Sequence, residues 1–139
     1  MKPFTVNIVT PEKTAYSAQA VSVTLPGTEG YLGVWADHAP LVSGLRPGVI
    51  TIKLNDAGQT KLMASGGGFV EISHNTVNVM TDSCEEAGEI DAERAKAALK
   101  RAKERLMSGD PEIDKERALA ARERAEARLK VIEGMSGVR

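Results

Sequence analysis

A chain of 139 residues suits one ordinary domain, or a modest domain with an appendage; at 42% hydrophobic but only 4% aromatic residues, its core must be aliphatic. A net charge of −1 argues against a nucleic-acid binder. The single cysteine, Cys84, allows neither an internal disulfide nor a cysteine-based metal site, and fits a reducing compartment.

The chain opens without a long apolar run after Lys2, so no signal peptide is expected, and no stretch approaches the ~18 apolar residues of a membrane span. Strands come first. Phe4–Val9, Val21–Leu25, Val49–Leu54, Phe69–Ile72 and Val77–Val79 alternate with period two and favour β-branched residues. Turn signals fall at Thr10-Pro11-Glu12-Lys13, Pro26-Gly27, Arg46-Pro47-Gly48, Asn55-Asp56-Ala57-Gly58 and His74-Asn75. Many short strands at this spacing predict a sandwich or barrel.

Near residue 88 the period changes. Residues 91–107 and 112–132 hold no Gly or Pro and are rich in strong helix formers. Ser108-Gly109-Asp110-Pro111 breaks them, with Asp110 expected to cap the second helix and Pro111 to lie in its first turn. So short a link predicts an antiparallel hairpin. The chain thus divides into a β-sandwich, 1–86, and a helical hairpin, 87–139. Charge divides the same way. Residues 1–90 carry five Lys/Arg against nine Asp/Glu, and residues 91–139 thirteen against ten, an acidic front and a basic back.

The helices are one unit used twice. Ile90-Asp91-Ala92-Glu93-Arg94-Ala95 returns as Ile113-Asp114-Lys115-Glu116-Arg117-Ala118, and 11 of 17 positions are identical when 90–106 is laid on 113–129. Helical spacing places Ala95, Leu99, Ala102 and Leu106 opposite Ala118, Ala121, Ala125, Leu129 and Ile132. Each buried alanine methyl contributes under ~1 kcal/mol, against roughly 1.5–3 for a leucine. The hairpin is therefore expected to be marginal when undocked, which suits a switch.

Motifs for chemistry are sparse. There is no P-loop, because no Gly precedes a Lys-Ser or Lys-Thr pair. Gly27, Gly30 and Gly33, like Gly66-Gly67-Gly68, read as turns, bulges or close backbone approaches. His38 and His74 lack partners at metal-ligand spacing, so no metal site is expected. His38 reads as a loop or interface residue and His74 as a turn residue. Arg94 and Arg101 share one face of the first helix, and Arg124 and Arg128 one face of the second. Spacing alone favours a solvated surface for these arginines over convergence on an anion.

Four stretches carry a family resemblance: Pro26-Gly27-x-x-Gly30, Asp37-His38-Ala39-Pro40-Leu41, Gly66-Gly67-Gly68-Phe69 and Ile90-Asp91-x-x-Arg94-Ala95. In this order and spacing the chain resembles the epsilon subunits of bacterial F-type ATP synthases over nearly its whole length. It departs from them at Trp35-Ala36, where a Leu-Pro pair is usual. The resemblance implies a non-catalytic rotor subunit on the cytoplasmic face of the bacterial inner membrane. The implied partners are the gamma subunit, the c-ring and, with the hairpin extended, the alpha/beta catalytic hexamer. The loop of Glu29 is then expected to face the ring, and His38 with Trp35 to lie at the rotor contact. No cofactor is required, but some bacterial members bind ATP on the folded hairpin. Carried over position by position, that pattern falls on Glu85, Asp91, Arg94, Ala95, Arg101, Arg124 and Arg128, and it overrides the reading from spacing. Two rivals are an independent nucleotide-sensing module and a hydrolase built on His38.

Overall fold

A computed structural model of the chain describes residues 1–136, so 137–139, the end of the expected hairpin module, lie outside the described residues. Among the described residues ten strands run in chain order: β1 (Phe4–Val9), β2 (Thr14–Ala20), β3 (Ser22–Gly27), β4 (Gly30–Val34), β5 (Leu41–Leu45), β6 (Gly48–Lys53), β7 (Thr60–Ser65), β8 (Gly68–Ser73), β9 (Thr76–Thr81) and β10 (Cys84–Glu85). A single 3-10 turn (Ala87–Glu89) leads into α1 (Ala92–Met107) and α2 (Lys115–Ser136).

The strands form two layers. One runs β10-β7-β6-β3, with β4 also paired to β3; the other runs β5-β8-β9-β1-β2. A single residue pair, Gly27 with Leu45, joins them. The remaining neighbours are antiparallel except β1 and β9, which run parallel. Val23, Leu25, Ile50 and Ile52 from the first layer meet Val6, Ile8, Val70 and Val79 from the second in one dry core. All eight are almost fully buried, which is what period-two alternation demands of a sandwich interior.

All five strands expected from alternation are present. The five without that pattern, β2, β4, β5, β7 and β10, complete the layers. β2 is an alanine-rich edge, and β7 (Thr60-Lys61-Leu62-Met63-Ala64-Ser65) has no polar-apolar alternation because both its faces are covered. Met63 enters the sandwich core while Ala64 faces the hairpin.

Two boundaries differ from expectation. Pro26-Gly27 is not a turn: both residues lie in β3, and the chain reverses at Thr28-Glu29. Asp110 does not cap α2. Its carboxylate accepts from the Glu112 amide at 2.9 Å and so closes the connecting turn, while Asp114 takes the cap, accepting from the Arg117 amide at 3.1 Å. Asp91 caps α1 in the same way, accepting from the Arg94 amide at 3.1 Å. The repeated Ile-Asp-x-Glu-Arg-Ala is thus a repeated helix start.

Ala95, Ala102, Ala118 and Ala125 are buried, while Leu99, Leu106, Ala121, Leu129 and Ile132 of the expected seam are half-buried. A second stripe of α2, Ala127 and Val131, packs on Ala64, Val49 and Leu62 of the sandwich. Two ion pairs flank this contact, Arg46 with Glu123 and Arg128 with Glu85, and Lys61 pairs with Glu86 across the linker.

The triple glycine is a close approach. A side chain at Gly66 would meet Ser83 Oγ at 2.5 Å. Beside it, Thr81 Oγ1 bonds Ser65 Oγ at 2.9 Å and donates to the Gly67 carbonyl at 2.8 Å, leaving these buried hydroxyls satisfied.

Candidate functional site

Six of the seven positions carried over for nucleotide binding line one cleft of about 350 Å³: Glu85, Asp91, Arg94, Ala95, Arg101 and Arg128. Three elements build it. β10 supplies Glu85, α1 and its N-cap Asp91 supply the next four, and the second half of α2 supplies Arg128. Helical spacing explains the α1 contribution, since 94, 98 and 101 fall on one face. Small side chains at Ala95 and Ala98 leave the cleft open.

Arg128 Nε donates to Glu85 Oε1 at 2.6 Å, with both side chains about 30% exposed. Arg94 and Arg101 have no ion-pair partner among the described residues. Two guanidinium groups outside any ion pair, beside a third, suit an anion with several oxygens, because each planar fork matches phosphate geometry, although Glu85, Glu89 and Asp91 also line the cleft. Arg124 is not in this cleft. It faces a second one, at the turn end of the hairpin, with Arg105 and Arg117. It lies four residues, about one turn, from Arg128 toward the start of α2, so it shares that helix face but meets the other end of α1, which only the hairpin packing reveals.

The three rotor-contact positions do not form one patch. Trp35 and His38 share surroundings with Phe4, Ile72 and Asn75. Trp35 is 53% exposed and lies against Gly33. His38 Nδ1 donates to the Ala39 carbonyl at 2.7 Å, and among the described residues no carboxylate or hydroxyl hydrogen-bonds its ring. Glu29 sits at the opposite end of β4, exposed in the β3–β4 turn. Five residues of strand at ~3.3 Å each keep the two places apart. The loop of His38 is pinned by Asp37, which adopts φ 64° and exchanges hydrogen bonds with Asn75. The Lys2 ammonium, 2.8 Å away, and the Asn75 amide hold the Asp37 carboxyl below the usual carboxylate range.

Alternation did not single out a further feature. Val42 and Phe69 stand on the outer face of the β5–β8 pair, 67% and 48% exposed. Their outward register was legible once Val70 and Ile72 pointed inward.

Comparison with known proteins agrees with this architecture. The family described as "ATP synthase, Delta/Epsilon chain, beta-sandwich domain" matches residues 3–87, and "ATP synthase, Delta/Epsilon chain, long alpha-helix domain" matches residues 89–133. The ATP synthase epsilon chain of Moorella thermoacetica is 42% identical over 111 residues, covering 80% of this chain and 82% of that protein. That of Desulforamulus reducens is 42% identical over 106 residues, covering 76% and 79%. A chain of the Euglena gracilis mitochondrial ATP synthase (OSCP/F1/c-ring) superposes with a TM-score of 0.70 at 22% identity, covering 97% of this chain and 80% of that one. A chain of the Tetrahymena thermophila enzyme's central stalk and c-ring gives 0.60 at 20% identity, covering 92% and 95%. These two likenesses speak to the fold; the sequence matches speak to descent. With both halves matched in order and relatives 42% identical over most of its length, the chain belongs to the ATP synthase delta/epsilon family.

Proposed function

We propose that this chain serves as the epsilon chain of an ATP synthase, a non-catalytic central-stalk subunit whose C-terminal hairpin senses ATP. Family membership supports the first half. The sandwich is the part that contacts the rotor, through the gamma subunit and the c-ring. The separated surfaces at Glu29 and at Trp35–His38, with the outward Val42 and Phe69, supply two distinct contact regions. Among the described residues no helix is long and apolar enough to cross a membrane. Membrane association therefore comes through the complex, at the cytoplasmic face of a bacterial inner membrane.

One observation supports the sensing half. The cleft holding Glu85, Asp91, Arg94, Arg101 and Arg128 needs β10, the start of α1 and the end of α2 together. Extending the hairpin carries Arg128 away from Arg94 and dismantles the cleft. A ligand there has different affinities for the two states, which is the requirement for shifting their balance. At ~100 times its dissociation constant it would stabilise the folded state by roughly 2.7 kcal/mol. That is comparable with a docking contact made of Ala64, Ala127 and Val131. ATP then favours the folded hairpin, and scarcity frees it to extend toward the catalytic hexamer and block hydrolysis.

Calorimetry on the full chain tests this. Saturable ATP binding is expected, weakened roughly tenfold or more by Arg94→Ala or Arg128→Ala. No saturable binding at millimolar nucleotide would sink the sensing half.

A further inference from the structure

The face of α2 that docks on the sandwich carries a residue that helix formation does not explain. Ala127, Val131 and Gly134 follow one another at helical spacing. Gly134 is the only glycine in α2, and α1 has none. A glycine inside a helix is disfavoured against alanine. Gly134 lacks the positive φ of a glycine helix cap, so its backbone does not require it. Its surroundings do: a Cβ built at Gly134 would overlap Cδ1 of Leu62.

Leu62 precedes Ala64 by two residues on β7 and so shares its outer face. Ala64 meets Ala127 and Val131, and Leu62 packs against the same cluster. The leucine side chain thus sits in a notch of α2 that is open only because position 134 has no side chain. At the far end of the same stripe, four residues before Ala127, Glu123 pairs with Arg46. Between these two ends the contact is made of alanines and one valine, which present little relief to fix the position of a helix on a sheet.

We propose that the seat of Leu62 on Gly134 is the steric key of hairpin docking: it fixes where α2 lies along β7 and sets the ratio of docked to undocked hairpin. The helix-weakening effect of glycine is present in both states and cancels in that ratio. The fit to Leu62 exists in the docked state alone and does not cancel. A side chain at 134 therefore tips the balance toward the undocked hairpin. Turning Leu62 into the adjoining cleft of about 190 Å³, which Thr60, Ala87 and Val131 also line, would relieve the overlap but empty the notch, so either response weakens docking. The seat stands on the docked geometry alone; only its effect on ATP hydrolysis rests on the function proposed above.

The test is thiol labelling of the full chain carrying Ala127→Cys, a position 2% exposed when α2 is docked. With docking fast relative to labelling, the rate at 127 follows the undocked fraction, and peptide mass spectrometry separates it from labelling of Cys84. Adding Gly134→Ala should raise the rate roughly fivefold or more. Gly134→Ser should raise it to within about threefold of that, because it adds the same Cβ with a different helix propensity. Adding Leu62→Val to Gly134→Ala removes the overlapping atom and should return the rate to within roughly threefold of the starting chain. Circular dichroism melting verifies that each variant is folded. A rate unchanged or lowered by Gly134→Ala would overturn the seat, and so would opposite responses to Gly134→Ala and Gly134→Ser, which would trace the effect to helix propensity. Failure of Leu62→Val to restore protection would overturn Leu62 as the partner. The readout needs neither nucleotide nor the assembled enzyme, so it separates the seat from ATP sensing and from inhibition.

Discussion

Single residues in this fold are constrained by what their backbone must pass. A Cβ at Gly68 would lie 2.0 Å from the Met80 carbonyl oxygen, in a backbone at φ +153°. At Gly30, φ is +123° but nothing lies within 4 Å of the added atom. Gly68→Ala is therefore expected to cost clearly more than Gly30→Ala, at least ~2 kcal/mol against about 1. Urea unfolding of the two variants checks the ranking, and equal midpoints would contradict it. Cys84 is constrained by its surroundings instead. Its thiol lies beside Met63 Sδ at 3.8 Å, and burial, aided by Glu89, Glu85 and Glu86, pushes it up to about 12. At pH 8 the thiolate fraction is on the order of one in ten thousand. Alkylation of the folded chain should thus be slow and should track unfolding; rapid labelling at neutral pH would show the site to be open.

Among the elements, α2 decides the behaviour of the hairpin. It has two buried stripes, Ala118 and Ala125 toward α1, and Ala127 and Val131 toward β6 and β7. The docked stripe is small and its ion pairs are partly exposed, Arg46 at 48% and Arg128 at 29%. Such pairs contribute about 0–1 kcal/mol each, so the apolar patch dominates. Val131→Asp should release α2, because an unpaired carboxylate in that patch costs more than the contact supplies. Amide hydrogen exchange should then rise through α2 while β1, β8 and β9 remain protected. The Arg46→Ala/Glu123→Ala double-mutant cycle should give a coupling under ~1 kcal/mol. Global unfolding by Val131→Asp would mean that the hairpin is part of the sandwich's own stability.

For the whole molecule, we propose that the sandwich, residues 1–86, folds without the hairpin, residues 87–139. Among the described residues, its buried core draws only on strands of the two layers. A chain ending at Glu86 should be soluble and unfold cooperatively, with Ala64, Val49 and Leu62 newly exposed. In the assembled complex, deleting residues 88–139 should raise ATP hydrolysis while synthesis persists. Unchanged hydrolysis would count against inhibition by the hairpin, and an insoluble 1–86 chain against two modules.

Local chemistry determined much of this protein. Alternation such as Phe4-Thr5-Val6-Asn7-Ile8 places every second side chain on one face, so β1, β3, β6, β8 and β9 were legible. The repeated Ile-Asp-x-Glu-Arg-Ala made both helices legible, and its order among the other motifs made the family so. Tertiary structure alone decided the rest. β7 is covered on both faces, so no alternation announces it, and Ala127 and Val131 interrupt a single amphipathic stripe because α2 has two partners. Which arginines meet depends on how two helices pair. Arg128 joins Arg94 and Arg101, while Arg124, four residues away, joins Arg105 and Arg117. Sequence spacing specifies which residues share a face of one helix; it does not specify which end of a neighbouring helix that face will meet.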